Sequence, residues 1–348
     1  MRQKEKITIY DISKKLNISA ATVSRALNDS NRVSPKTKEL VLKMAKELNY
    51  QQNTLALALK SGRTFNVGVI VPYINHTFFA SVIRGIEEEL TPKGYHVIIC
   101  QSHEDVANEA RQIKTLLNTH IDGIFISVSK TTEDLSHIQE IQDDGVPLIF
   151  FDRKKDIRGV SSVTINDYEG AFMATEHLIK QGYRNIVHIG GDSKLEIYKH
   201  RYDGYIAALR EYDIAIDNNL ILEVSSTVEA GIEAVKELLD KNIEFDAFFS
   251  ASDYVALGGL RELRSRGIKI PEEVGVVGFS NEPFTKYLEC PLTSVGQTPM
   301  LMGQIAAQVF LEQINDQFKS VKVEKKVVLM PELYERETSS KKGVTVNL

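Results

Sequence analysis

The sequence predicts an α/β protein in two parts: a small all-helical head, and a two-lobed body built on parallel sheets. Three observations carry this expectation. Charge divides near residue 64, the first fifty residues place apolar side chains at helical spacing between capping residues, and from Phe65 onward short apolar runs take turns with helical patterns. At 348 residues the chain is also too long for one ordinary core.

The charge division separates two chemistries. Residues 1–63 carry 13 Lys+Arg against 5 Asp+Glu, leaving 29 against 42 for the remainder, so the overall −5 hides a +8 head and a −13 body. A basic module on an acidic body is the arrangement expected when only the module meets a polyanion. Apolar residues at 43% and charged residues at 26% place the chain among globular proteins rather than disordered ones. No run of about 18 apolar residues exists, and MRQKEKITIY has no stretch of signal-peptide character, so no membrane partner and a cytoplasmic location are expected. Cys100 and Cys290 stand alone without metal-ligand spacing, so no disulfide framework and no metal or cofactor is expected.

In the head, Thr8 followed by Asp11 predicts a capping box, and Ile9, Ile12 and Leu16 form one apolar stripe. The turn Asn17-Ile18-Ser19 ends that helix. Ser19 then caps a second, with Val23 and Leu27 inward and Ala20, Ala21, Thr22, Ser24 and Arg25 outward. Ser34-Pro35 reads as N-cap and first-turn proline of a third helix, with Leu40, Val41, Met44, Ala45 and Leu48 on its buried side.

Two short helices joined by a three-residue turn and braced by a third make a helix-turn-helix, whose second helix enters the major groove of DNA. Ala20 and Ala21 allow close approach and contact thymine methyls, Arg25 can donate two hydrogen bonds to a guanine, and Ser19, Thr22 and Ser24 can reach phosphates. A protein-docking module is the alternative that an amphipathic three-helix pattern leaves open.

The runs ITIYDISKKLNISAATVSRALN, VSPKTKELVLKMAKELNY and NTLALALKSGRT resemble the DNA-binding head of the lactose and galactose repressor family. The resemblance implies a hinge over residues 53–64 that becomes helical when two copies meet on an operator. It implies a minor-groove leucine wedge at Leu59 and backbone contacts at Tyr50 and Asn53, and Thr8, Ile9, Tyr10 and Asn28 complete the candidate DNA-contact set. Gln52 replaces the family's usual proline and Leu57 its usual arginine. The second change trades a hinge cation for added helix-to-helix packing.

The body shows two sets of alternating elements. NVGVIV, HVIIC, GIFIS and PLIFF belong to the first; SVTI, NIVHI, LILEV, AFFSA and VGVVGF belong to the second. Helices are expected near 78–93, 106–118, 135–144, 168–181, 201–211, 228–241 and 252–266. Such alternation indicates parallel sheets covered on both faces, and open parallel sheets bind ligands beyond the carboxyl ends of their strands. PYINHTFF, Asp152-Arg153, Ser252-Asp253 and Ser280-Asn281 occupy those positions. Aromatic faces there stack on rings, and carboxylates and arginine hold hydroxyls or anions.

The family resemblance continues through FFDR, HLIKQGYRNIVHIGG, HRYDGY, ASDYVALGG, IPEEVGVVGF and PLTSVGQ, to about Thr338. It implies a periplasmic-binding-protein-like core whose lobes cross over three times, the last crossings near 291–297 and 324–329. The implied organisation is a head at 1–52, a hinge at 53–64, a core at 65–338 and a flexible tail at 339–348. The core's first lobe would span about 65–164 and 296–325, its second about 165–295 and 326–338. Implied effector contacts are Phe78 and Phe79 for stacking, Asp152, Arg201 as the main polar clamp, Ser252, and Gln297 at the hinge; Asp253 and Ser280 join the candidates by their place just after strands. The family usually reads Gly, aromatic, Asp where this chain has Gly278-Phe279-Ser280. Losing that carboxylate near Arg201 points to an acidic sugar, such as a uronate fragment or sugar phosphate; if Asn281 or Asp253 takes its place, the ligand is a neutral sugar.

Together these features imply an effector-responsive DNA-binding transcription regulator, a repressor of carbohydrate-utilisation genes. It would act as a homodimer on a near-palindromic double-stranded operator, with a small sugar as effector. The tail TSSKKGVTVNL lacks a leucine heptad, arguing against a tail-tethered tetramer. A nucleobase- or nucleoside-responsive regulator is the alternative of the same architecture. A solute-binding protein would need a signal peptide and would not carry the basic head. Enzyme readings find no HExxH, GxSxG, GxxxxGK[ST] or strand-following GxGxxG.

Overall fold

The computed structural model describes residues 7–28, 30–50, 62–315 and 324–341. They fall into two compact units, Met1–Thr64 and Phe65–Leu348.

The first unit is a three-helix head. Helices Ile9–Leu16, Ala20–Leu27 and Pro35–Glu47 begin where the capping residues predict. Thr8 N–H and Oγ1 both donate to Asp11 Oδ2 at 2.8 Å, holding that carboxyl below its usual pKa. Ser19 Oγ accepts from Thr22 N–H at 3.1 Å, and Ser34 Oγ accepts from Thr37 N–H at 3.2 Å. Ile12, Val23, Ala26, Val33, Val41 and Ala45 form the core. Leu40, expected on the buried side, is 49% exposed. The buried stripe runs Val41, Ala45, Leu48, and one residue's rotation carries Leu40 about 100° away from it.

The second unit holds two six-stranded sheets. The first contains β1 (Asn66–Val71), β2 (His96–Gln101), β3 (Gly123–Ile126), β4 (Leu148–Phe151), β5 (Ser161–Ile165) and β11 (Lys326–Leu329), in the order β11-β5-β4-β3-β1-β2, all parallel. The second contains β6 (Ile186–Gly190), β7 (Ile221–Glu223), β8 (Ala247–Ser250), β9 (Gly275–Ser280), β10 (Thr293–Gly296) and β12 (Glu332–Tyr334), in the order β12-β10-β9-β8-β6-β7. Only β12 runs antiparallel to its neighbour. Each sheet has an apolar cluster on both faces, as its near-continuous apolar central strands require. The edge strand β2 is the exception, with Ile98 and Ile99 exposed.

Three elements depart from the sequence reading. SVTI pairs with β4 in the first sheet, not the second. Residues 326–329 also join the first sheet rather than the second lobe: Ser162 N–H donates to Lys325 O and Asn166 N–H to Leu329 O, both at 2.9 Å, adding a sixth parallel strand at that edge. The chain therefore passes between lobes after β5, after β10 and after β11. The helix expected at 201–211 begins at Glu196, so Arg201 sits inside it rather than at its start.

After the second passage, helix Pro299–Gln313 returns to the first lobe and packs on helix Thr77–Leu90. The two backbones touch. A Cβ on Gly303 would lie 2.0 Å from Val82 O, and one on Gly85 would lie 2.2 Å from Met300 O.

Candidate functional site

The second helix of the head presents an exposed side carrying Arg25. Ala21, Arg25 and Asn28, spaced four and three apart, are exposed along one side, while Ala20, Thr22 and Ser24 are half-buried beside them. Ser19 and Thr22 hydroxyls lie 2.9 Å apart, so their oxygens serve the helix cap as well as any phosphate. The Asn28 amide donates to Ser24 O at 2.7 Å. Thr8 is exposed at the first helix's N-terminus and Tyr10 stands out beside it, whereas Ile9 and Tyr50 pack against the head core. Asn53 and Leu59, with Gln52 and Leu57, lie outside the described residues.

The second site is a cleft of about 570 Å³ where the carboxyl ends of both sheets converge. Phe78, Phe79, Asp152, Arg201, Ser252, Ser280 and Gln297 line it. Asp253 does not. It is wholly buried beneath the second lobe's wall, its Oδ1 accepting from Ser294 Oγ at 2.6 Å and its Oδ2 from Glu282 N–H at 2.8 Å, and burial pushes its carboxyl up to about 7.

Arg201 is paired within the protein. Its Nε donates to Asp167 Oδ1 at 2.7 Å, its Nη2 lies 2.7 Å from the same oxygen, and its Nη1 donates to Ala251 O at 2.8 Å. The guanidinium also stacks 3.7 Å from the Phe279 ring centroid. Burial raises the Asp167 carboxyl, and the Arg201 charge opposes that rise. Asp167 occupies the first turn of helix Asp167–Lys180, whose N-terminal dipole also favours a carboxylate. Arg201 therefore has a counter-ion within the protein.

A second arginine is paired by charge but leaves its buried Nε without a hydrogen-bond partner. Arg153 Nη1 donates to both Glu104 oxygens at 2.8 and 3.0 Å, and its Nε is 3.8 Å from Asp152 Oδ2. Asp152 accepts from Ser127 Oγ at 3.2 Å, and burial lifts its carboxyl to about 6. Carboxyls at Asp192, Glu223 and Glu282 add to the lining, with Lys130 as the remaining cation among the described lining residues.

Aromatic faces complete the cleft. Tyr73 and His76 stack with centroids 5.7 Å apart, and His76 meets Tyr254 of the other lobe at 6.1 Å. Tyr73 and His76 belong to the PYINHTFF stretch, and Asp167 and Glu223 lie at or just beyond strand ends, so their positions carried a usable signal. Glu104 and Glu282 sit in loops with no motif.

Backbone strain collects here too. Asp152 (φ 60°), Ser280 (φ 120°), Asn281 (φ 50°) and Thr298 (φ 47°) adopt positive φ at the cleft or its adjoining side pocket. Thr298 is the costliest, since β-branched residues resist that region. The described residues contain no cluster able to hold a metal ion and no helix long and apolar enough to cross a membrane.

Comparison with known proteins gives consistent matches for both units. Residues 8–53 match the family model for bacterial regulatory proteins of the lacI family, and residues 64–334 match that for periplasmic binding proteins and the sugar-binding domain of the LacI family. The chain is 31% identical over 336 residues to the HTH-type transcriptional regulator DegA of Bacillus subtilis (strain 168), covering 96% of this chain and 98% of that one. Among solved structures it resembles the transcriptional regulator CelR–cellobiose complex (TM-score 0.72, 29% identity, 96% of this chain and 100% of that chain). It also resembles a LacI family regulator from Enterococcus faecium with bound ribose (TM-score 0.70, 26% identity, 79% of this chain and 98% of that chain).

Proposed function

The chain belongs to the lacI family of bacterial regulatory proteins, and from that membership we propose that it is a DNA-binding transcription regulator controlled by a small uncharged sugar held between its core lobes. One observation carries the choice of an uncharged ligand. Arg201, the cation that an acidic sugar would need, already has Asp167 as its counter-ion and donates to Ala251 O as well. Its neighbour Arg153 is held by Glu104, and the remaining lining carboxyls would repel an anion. Aromatic faces at Phe78, Tyr73 and Tyr254 suit the apolar faces of a sugar ring, and Ser252, Ser280 and Gln297 suit its hydroxyls. The cellobiose and ribose bound by the two similar regulators are neutral sugars, which supports the reading.

In this proposal residues 1–52 are the DNA reader, with Arg25 on a guanine, Ala20 and Ala21 against thymine methyls, and Ser19, Thr22 and Ser24 at phosphates. Residues 53–64 are the hinge, with Leu59 as wedge, and residues 65–338 are the effector-binding and dimerisation core. Two copies read a near-palindromic operator in the cytoplasm, and no catalysis is involved. Ligand changes the closure of the lobes and thereby the spacing at which two hinges can meet.

Isothermal titration of the full-length protein with ribose, cellobiose, glucuronate and guanine tests the effector class. Heat from a neutral sugar is expected; preference for glucuronate or guanine overturns the assignment. Selection from a random duplex pool should return two half-sites related by an approximate dyad, and a single asymmetric site would contradict the dimer.

A further inference from the structure

A side pocket of about 160 Å³ adjoins the cleft, and the two cavities share Phe78, Ser280, Glu282 and Gln297. Glu282 stands at their junction. It follows β9 and caps the short 3-10 turn Pro283–Lys286, with its backbone pinned on both sides. Its N–H donates to Asp253 Oδ2 at 2.8 Å, while its carbonyl accepts from Thr285 N–H at 3.0 Å and Thr285 Oγ1 at 2.7 Å. The side chain thus projects from a rigid base.

That side chain is only 5% exposed, yet its Oε2 has no hydrogen-bond partner. Leaving a buried carboxyl oxygen unsatisfied costs stability, and folded proteins leave few such groups. Burial raises this carboxyl's pKa, with the Thr77 hydroxyl opposing. A ligand hydroxyl donating into Oε2 would satisfy it, and Ser280 and Gln297 on the same shared wall can engage neighbouring hydroxyls of one ring.

We propose that Glu282 is a specificity-determining residue of the effector site, accepting a hydroxyl of a neutral sugar that reaches the junction of cleft and side pocket. This inference rests on the sugar reading of the cleft. Its signature is a trade between stability and affinity: an unsatisfied buried oxygen destabilises the ligand-free protein and becomes useful only when ligand arrives.

The test uses full-length wild type, Glu282→Gln and Glu282→Ala, titrated calorimetrically with ribose, glucose, galactose and cellobiose, with thermal unfolding of the ligand-free proteins alongside. Wild type should bind at least one of these sugars. Glu282→Ala should weaken that sugar at least tenfold, and Glu282→Gln, which keeps one carbonyl acceptor, by less. Both variants should unfold at a temperature equal to or above wild type, whereas a residue kept for structure would lower it. Equal sugar affinity in Glu282→Ala and wild type, or weaker affinity accompanied by a lowered unfolding temperature in both variants, overturns the role of Glu282 while leaving the sugar reading intact. Absence of neutral-sugar binding by wild type overturns both.

Discussion

Asp167→Asn is the most informative single change, because it removes a charge while keeping an oxygen where Arg201 Nε and Nη2 both point. Both side chains are nearly fully buried, at 4% and 5% exposure, so solvent screens the pair little. Breaking a buried ion pair by removing one partner costs about 3 to 5 kcal/mol. The asparagine oxygen still accepts, which places the loss near the lower end, about 3 kcal/mol, or roughly 6 to 12 °C in the unfolding midpoint of a domain this size. Thermal unfolding by circular dichroism suits the assay, since the chain has no tryptophan. The second readout is ligand charge. With Arg201 unbalanced, a carboxylate gains a charge-assisted hydrogen bond worth about 1.5 to 3 kcal/mol, so the affinity ratio of glucuronate to glucose should rise by roughly ten- to a hundredfold. A stability loss under about 1 kcal/mol with an unchanged ratio would mean that Asp167 does not neutralise Arg201, and the case for an uncharged effector would lose its foundation.

Arg25→Ala should cost about 1 to 3 kcal/mol on the selected duplex and relax one base position, read by fluorescence anisotropy at fixed salt; a uniform loss on all sequences would reduce Arg25 to a phosphate contact. Gly303→Ala forces a methyl against Val82 O, 2.0 Å away, and should destabilise the core by about 1 to 3 kcal/mol in urea titration; an unchanged midpoint would show that the helix pair yields freely. Asp152 and Asp253 have folded-state pKa values raised to about 6 and about 7, so their contribution to stability is fully present below the unfolded value of 3.8 and is lost as pH rises through 6 to 7. Between pH 5 and pH 8 these two carboxyls favour the acid end, whereas His188, lowered to about 3 by burial, and His76 and His177, also lowered, favour the alkaline end. Asp253→Asn removes one acid-favouring group, so its unfolding midpoint should change more steeply upward from pH 5 to pH 8 than that of wild type; an identical pH dependence would contradict it.

The head was legible because its boundaries are written in local chemistry. Thr8, Ser19 and Ser34-Pro35 each act within a turn of their own position, and each helix begins where they say. Strand and helix alternation in the body was legible for the same reason. Helix Glu196–Glu211 lost its first turn in the sequence reading because Leu195 offers no capping side chain. Helix Pro299–Gln313 drew no expectation, its apolar residues being spread around the axis instead of along one stripe. Sheet membership of residues 326–329 depends on pairing with a segment about 160 residues away, which no local pattern records, and SVTI was assigned to the second set although it pairs with β4 only 12 residues before it. The cleft divides likewise. Phe78, Asp152, Ser252 and Gln297 follow strand ends and could be anticipated, but the Asp167–Arg201 pair joins residues 34 apart and left no local signal.

Thr298 and Gly303 lie five residues apart, one holding an unfavourable backbone angle and the other seated against Val82 O without a side chain to cushion the contact. Slack is missing between them. A twist at Thr298 is handed directly to helix Pro299–Gln313 and, through Val82, to the helix that begins at Thr77 and carries Phe78 into the cleft. The second passage is thus built like a crank: the chain at Thr298 and the backbone contact at Val82 tie the floor of the first lobe to the strand that leaves the second.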